Sequence, residues 1–167
     1  MNKEIKDNFL KEEDLTLVKE EILSNRFPWF FSPTQTASTP KDSSFFFHCF
    51  YRDNRINSNF FNLIEPFLKI LNPHSLINVR ANCSLNRIKS NSNFHTDDLN
   101  SKNLTHKTAI FYLNTNNGYT EFEKDKEKVK SIENRLVIFP AQLSHRAVGQ
   151  TDKDRRIVIN FNFYDGS

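Results

Sequence analysis

The sequence predicts an α+β fold, mainly β, with an antiparallel double-sheet core and helices laid over one sheet. Three observations carry this expectation. Apolar residues recur at helical spacing only in the first half of the chain. From Leu76 onward the texture changes to short alternating runs, about seven or eight strand candidates in all. Turn-forming residues separate those runs, which is the pattern of a sandwich or barrel.

The elements follow in order. Leu15, Val18 and Ile22 lie on one helical face, and Glu12, Glu13 and Asp14 sit where the helix dipole favours negative charge. Phe27–Phe31 reads as a buried strand or anchor. Ser32–Ser44, rich in Ser, Thr and Pro, reads as a loop and a candidate lid. Phe45–Tyr51 is β-rich. A second helix carries Phe60, Ile64, Phe67, Leu68 and Leu71 on one face; Pro66 is expected to kink it and Asn72-Pro73 to end it. Leu76–Leu85 alternates, with Ile77, Val79, Ala81 and Cys83 on one face and Asn78, Arg80, Asn82 and Ser84 on the other. Further strands are expected at Thr108–Asn114, Tyr119–Glu123, Val129–Ile132, Leu136–Phe139, His145–Val148 and Ile157–Tyr164. Asn116-Asn117-Gly118 reads as a tight hairpin turn with positive φ.

Composition bounds the function. The chain has 167 residues, enough for one self-sufficient domain, expected to span 1–167: helical support and lead-in strands over 1–75, the β core over 76–164. Apolar residues make up only 37%, and 17 Phe offset that shortfall with large buried areas. A net charge of +3 is too balanced to signal nucleic-acid binding. No apolar run has the length of a membrane span. Met1–Asp7 mixes charges of both signs with no apolar stretch, so a cytoplasmic protein without a secretory signal is expected. Cys49 and Cys83 are too few for a disulfide framework or a metal knuckle and are expected to be free thiols. Asn is abundant where Gly is scarce, and it serves turns because it tolerates left-handed backbone.

His95-Thr96-Asp97 is the first feature with chemical content. In an extended segment residues i and i+2 share a face, so an imidazole and a carboxylate converge. His145 is the third candidate. Two His and one carboxylate make a facial triad, whose open positions suit non-haem Fe(II) chemistry with O2. Arg155 and Arg156 open the last strand. A dicarboxylate chelating the metal at one end needs a permanently charged, bidentate partner for its far end. Alternation groups Arg156, Val158, Asn160 and Asn162 on a polar face and Arg155 with Ile157, Ile159, Phe161 and Phe163, so Arg156 is the expected partner. His48 and His74 are expected to be structural or exposed; His106, in the polar loop after His-x-Asp, is expected to be solvent-exposed, contact with substrate being the alternative. Asp98 should point away from Asp97 and form a turn.

These pieces together resemble the Fe(II)/2-oxoglutarate-dependent dioxygenase superfamily, in particular its prolyl 4-hydroxylase-like branch. The resembling motifs are Phe94-His95-Thr96-Asp97, Ile110–Asn114, Gly118–Phe122, Leu136–Pro140, His145 and Arg156–Phe161, with Val79–Asn82 as the lead-in. The resemblance implies a double-stranded β-helix, or jelly roll. It implies Fe(II) held by His95, Asp97 and His145, and a salt bridge from Arg156 to the distal carboxylate of 2-oxoglutarate. Tyr112 either helps bind that carboxylate or is an ordinary core tyrosine; Asn160 matches a position that supports the Arg. Two departures are Asn117-Gly118 for the family's Gly-Gly and Val158 for its Ser or Thr.

The implied activity is hydroxylation of a C–H bond, a prolyl residue in a peptide or protein being the favoured target, with release of succinate and CO2. O2 is the oxidant and ascorbate an accessory reductant. The partner is a peptide, protein or small-molecule substrate, with no nucleic-acid or membrane signal. The alternative is a jelly-roll metal- or small-molecule-binding module without oxygenase activity. Asn86–Asn93 and Asp98–Lys107, with Ser32–Ser44, are expected to border the pocket mouth, and Arg80 to orient substrate.

Overall fold

A large and a small antiparallel sheet face each other in a computed structural model that describes residues 2–33, 44–86, 91–98 and 106–166. The strands are β1 (Glu4–Lys6), β2 (Phe30–Ser32), β3 (Phe45–Arg52), β4 (Arg55–Ile56), β5 (Ser75–Leu85), β6 (His106–Tyr112), β7 (Tyr119–Phe122), β8 (Lys128–Lys130), β9 (Arg135–Pro140), β10 (His145–Val148) and β11 (Arg155–Tyr164). The large sheet runs β1-β9-β6-β11-β5-β3-β2, with β4 on β3; the small sheet runs β10-β7-β8. A bridge between His95 and His145 extends the small sheet by one residue. This is the expected jelly-roll core. No helix among the described residues is long and apolar enough to cross a membrane.

Helices cover the outer face of the large sheet, as the sequence predicts. α1 (Glu12–Leu23) buries Leu15, Val18 and Ile22. These join Phe67 of α2 (Glu65–Leu71) and the outward residues Ala109, Phe111, Ile157, Ile159 and Phe161 in one apolar cluster. A second, smaller cluster lies between the sheets and holds Ile110, Tyr112, Phe122, Val137, Phe139 and Val158. Alternation along β6 and β11 therefore feeds one cluster and then the other. That arrangement leaves the polar set of β11 facing inward.

Four local expectations change. Pro66 does not kink a continuous helix: a 3-10 turn over Phe61–Ile64 precedes α2, and Pro66 lies in the first turn of α2, where a missing N–H costs nothing. Asn72 then closes α2 in left-handed backbone with φ 44°. Ile77 leaves the face of Val79, because the pairing of β11 with β5 slips by one residue after Asn162 and Leu76 takes the outer position. Phe30 and Phe31 on the edge strand β2 are more than half exposed, whereas Phe27 beside them is buried.

The fourth change concerns turns. No glycine has positive φ, so Asn117-Gly118 is not the hairpin turn its sequence predicts. The two-residue turn is Asp53-Asn54, with φ of 54° and 57°, joining β3 to β4 across the Arg52–Arg55 pair. Asn serves the role expected of it at Asn8, Asn54, Asn72 and Asn134, all in left-handed backbone. Asn134 also clasps the N-terminal segment: its side chain accepts from Leu10 N at 2.8 Å and donates to Leu10 O at 2.9 Å. Cys49 and Cys83 are free.

Candidate active site

Two of the candidate ligands are fixed opposite each other by backbone pairing. His95 N donates to His145 O and His145 N to His95 O, each at 2.9 Å. Such a reciprocal pair in an antiparallel ladder sets the two side chains alongside, and the ring centroids are 4.6 Å apart. Asp97 follows two residues on, on the same face. Its Oδ1 lies 3.8 Å from His95 Nε2 and its Oδ2 4.0 Å from His145 Nε2. The ligand atoms of His95, Asp97 and His145 all fall within 4.8 Å of one another.

The surroundings prepare these three groups to bind a cation. Each imidazole turns Nδ1 to a carbonyl two residues earlier: His95 to Asn93 O and His145 to Leu143 O, both at 3.0 Å. With Nδ1–H donating there, the Nε2 lone pairs point at the shared centre. Burial pushes the His145 ring towards its neutral form, and His95 adds to that against the pull of Asp97. Burial raises the Asp97 carboxyl, yet His145, the Thr108 hydroxyl, His95 and the Asn162 amide together hold it below its ordinary value. The Asp97 Oδ2 atom accepts from Thr108 Oγ1 at 2.7 Å and from Asn162 Nδ2 at 3.0 Å. Two neutral imidazole nitrogens and one carboxylate oxygen on one side of a point fit a divalent cation with an open face. Thr108 and Asn162 are the supporting residues that sequence reasoning missed. Asn162 had only its place on the polar face of β11 to mark it.

The triad opens into a cavity of about 790 Å³ between the sheets. Its floor is the polar face of β5 and β11: Arg80, Asn82 and Ser84 opposite Asn160, Val158 and Arg156. Arg156 is buried and Arg155 is exposed, which is the register the alternation predicts. Arg156 Nε donates to Ser131 Oγ at 2.8 Å, and its guanidinium carbon lies 5.5 Å from the Tyr112 ring centroid. Among the described residues no carboxylate lies within ion-pairing distance of it. Burial drags its pKa down while Tyr112 opposes the shift; Arg nonetheless remains charged at any ordinary pH.

Tyr112 is fully buried, and its hydroxyl donates to Thr120 Oγ1 at 2.8 Å, with Thr120 itself lining the cavity. Asn160 lines the cavity too, and its Oδ1 is buried without a partner among the described residues. Gly118 closes the Arg156 end. A Cβ there would fall 2.9 Å from Arg156 Cδ, from Asn116 Oδ1 and from Val148 O. The residue must be glycine for space, since its φ is ordinary.

The remaining histidines and Asp98 also find places. His48 is buried with both ring nitrogens bonded, to Pro28 O and Ser58 Oγ, and His74 is exposed. His106 is a correction: it is buried at the start of β6, lines the cavity, and sits 3.6 Å from Asp98 Oδ2. Asp98 is not part of the ligand cluster and accepts from Gln142 Nε2 at 3.0 Å. The proposed lid segments fall mostly on residues 34–43, 87–90 and 99–105, outside the described residues; Ser32 and Ser92 at their margins line the cavity.

No protein-family model and no curated protein sequence matches the chain. Solved structures do. A prolyl hydroxylase from Trichoplax adhaerens, in complex with a hypoxia inducible factor oxygen degradation domain peptide fragment, aligns with a TM-score of 0.73 at 17% identity, over 98% of this chain and 83% of its own. A viral collagen prolyl hydroxylase from Paramecium Bursaria Chlorella virus-1 aligns with a TM-score of 0.64 at 15% identity, over 100% and 97%. An oxidoreductase of the 2OG-Fe(II) oxygenase family from Burkholderia pseudomallei aligns with a TM-score of 0.72 at 10% identity, over 97% and 84%. The architecture built here from strand alternation and helix packing is thus the fold of the 2-oxoglutarate/Fe(II) oxygenases, prolyl hydroxylases among them.

Proposed function

We propose that the protein is an Fe(II)- and 2-oxoglutarate-dependent dioxygenase that hydroxylates a C–H bond. One observation carries this reading: the cavity that holds an open-faced His-Asp-His cluster also holds a buried guanidinium, Arg156, with no carboxylate beside it. A buried charge left unpaired is costly, so the site is built to receive an anion there. 2-Oxoglutarate joins the two features, with a chelating end for the metal and a carboxylate for Arg156. The fold neighbours support the same co-substrate and favour a prolyl residue in a peptide as the target class.

His95, Asp97 and His145 would hold Fe(II), which when bound would supply the activation of O2 and the oxidation of the C–H bond. Burial favours the neutral His145 ring and the surroundings favour the ionised Asp97 carboxylate, the forms that bind a cation. Arg156, held by Ser131 and resting over Tyr112, receives the distal carboxylate; Thr120, with Tyr112 behind it, offers a hydroxyl at the same end. Asn160 supplies an amide along the path between Arg156 and the metal. The wall formed by Ile110 and Val158 excludes water from the co-substrate's carbon chain. In sum, R–H, O2 and 2-oxoglutarate become R–OH, succinate and CO2.

The test needs no known substrate. Anaerobic Fe(II) and 2-oxoglutarate together should give a weak visible charge-transfer band that neither gives alone. Arg156→Ala should raise the 2-oxoglutarate concentration for half-saturation by about tenfold or more, since a charged hydrogen-bonded contact is worth ~1.5–3 kcal/mol. Arg155→Ala should leave it within twofold. Absence of the band in protein shown to bind the metal refutes the reading.

A further inference from the structure

A second guanidinium in the cavity has no counter-charge in ion-pairing distance among the described residues. The charged Arg and Asp side chains that line it are Arg52, Arg80, Asp97 and Arg156. Asp97 belongs to the metal centre and Arg156 to the co-substrate. Arg52 is exposed at the margin, 3.6 Å from Asp53. Arg80 remains. It lies on β5, opposite Asn160 of β11 and Cys49 of β3. Its Nε is buried with no hydrogen-bond partner among the described residues, and its guanidinium carbon stands 5.5 Å from the Phe45 ring centroid and 6.0 Å from that of Phe47.

Burial pulls the Arg80 pKa down and Asp97 opposes the shift, so among the described residues the carboxylate that eases this cation is one a metal would take over. Two residues along, on the same face of β5, Asn82 presents a buried Oδ1 that also has no partner among the described residues. A buried donor cation beside a buried amide acceptor is a cost to folding unless a ligand completes both. The two Phe rings give such a ligand apolar walls.

We infer that Arg80 binds a carboxylate of the primary substrate, with Asn82 accepting from an adjoining N–H, so that the substrate is an amino acid or the C-terminal residue of a peptide. This rests on the dioxygenase reading, in which 2-oxoglutarate already satisfies Arg156.

The test measures binding without turnover. Protein loaded with Mn(II) and 2-oxoglutarate is titrated with the free L-amino acids, with their N-acetyl derivatives, which stand for the C-terminal residue of a peptide, and, separately, with the primary amides of both, following the melting temperature and ligand-observed NMR. At least one acid should bind, its amide should bind tenfold or more weakly, and Arg80→Ala should lose the acid tenfold or more. Affinity for 2-oxoglutarate should stay within twofold in that variant. Arg80→Met, which keeps the stem, should melt no lower than the parent without ligand, as expected of a residue retained for binding.

Three results overturn the inference: amides binding as well as acids; no acid binding more tightly to the parent than to Arg80→Ala; or Arg80→Ala weakening 2-oxoglutarate as much as Arg156→Ala, which would assign Arg80 to the co-substrate. A failure of Mn(II) and 2-oxoglutarate to bind at all would instead strike the dioxygenase reading.

Discussion

Gly118 leaves the space that Arg156 occupies: a Cβ at position 118 would stand 2.9 Å from Arg156 Cδ and equally close to the Val148 carbonyl. The backbone oxygen cannot give way as a side-chain tip can, so the guanidinium stem must move. Gly118→Ala should therefore weaken 2-oxoglutarate binding about tenfold, equal to ~1.4 kcal/mol, while metal affinity is unchanged. Isothermal titration with Mn(II) present gives both numbers. Equal co-substrate affinity in the variant and the parent would show that Arg156 adjusts freely.

Asp97 depends on two neighbours that donate to the same oxygen, Thr108 and Asn162, and Asn162 also donates to Thr108 Oγ1 at 3.0 Å. Removing either donor frees the carboxylate to rotate. Outer partners of metal ligands typically change affinity by about 10–100-fold. Thr108→Val and Asn162→Leu should each fall in that range for Mn(II), with a double variant falling short of the product because the three groups form one network. Single-variant affinities within twofold of the parent would remove both residues from the site.

The pH dependence of the metal-free protein has a definite sign. His145 titrates below its ordinary value in the fold, chiefly through burial. As pH drops past about 6.5, the unfolded chain takes up a proton that the folded one refuses, and stability falls until the folded pKa is passed. Asp97, also lowered, acts in the same direction at lower pH: its contribution, complete above its unfolded value, disappears as pH falls through the folded one. The melting temperature in chelator should drop between pH 7.5 and 5.5, and His145→Asn should flatten that drop. An unchanged slope in the variant counts against His145 as its source.

Asn134 is a stability site remote from the metal. Its side chain makes two buried hydrogen bonds to Leu10, and its φ is 60°. Asn134→Ala should cost about 2 kcal/mol or more, from the lost bonds and the orphaned Leu10 groups. Asn134→Gly relieves the backbone but loses the same bonds, so it should recover only part of the loss. Denaturant melts of the two variants rank them.

The sequence made legible those features whose cause is local. Alternation on β11 separates Arg156 from Arg155 because one face of that strand meets helices and the other a cavity, and both surroundings leave a period of two in the residue types. His95 and Asp97 converge for the same reason. Ile77 was misplaced because a bulge shifts the register, and nothing in Leu76-Ile77-Asn78 announces it. His106 looked like a loop residue, but it begins β6 and is packed against the Tyr164 ring, 5.6 Å away. The Ser131 contact that anchors Arg156 spans 25 residues, and the hydroxyl is an ordinary one in sequence. Asn117-Gly118 carried the composition of a hairpin turn but answers to the crowding around Arg156, a constraint that exists only once β11 has folded beside it.

Both triad imidazoles take their tautomer from a carbonyl two residues earlier, Asn93 for His95 and Leu143 for His145. Every amino acid brings that carbonyl. The proton's location on each ring is thus written in the path of the main chain and in no side chain at all. A substitution at 93 or 143 leaves that acceptor in place, in contrast to positions 108 and 162, where the side chain itself is the donor.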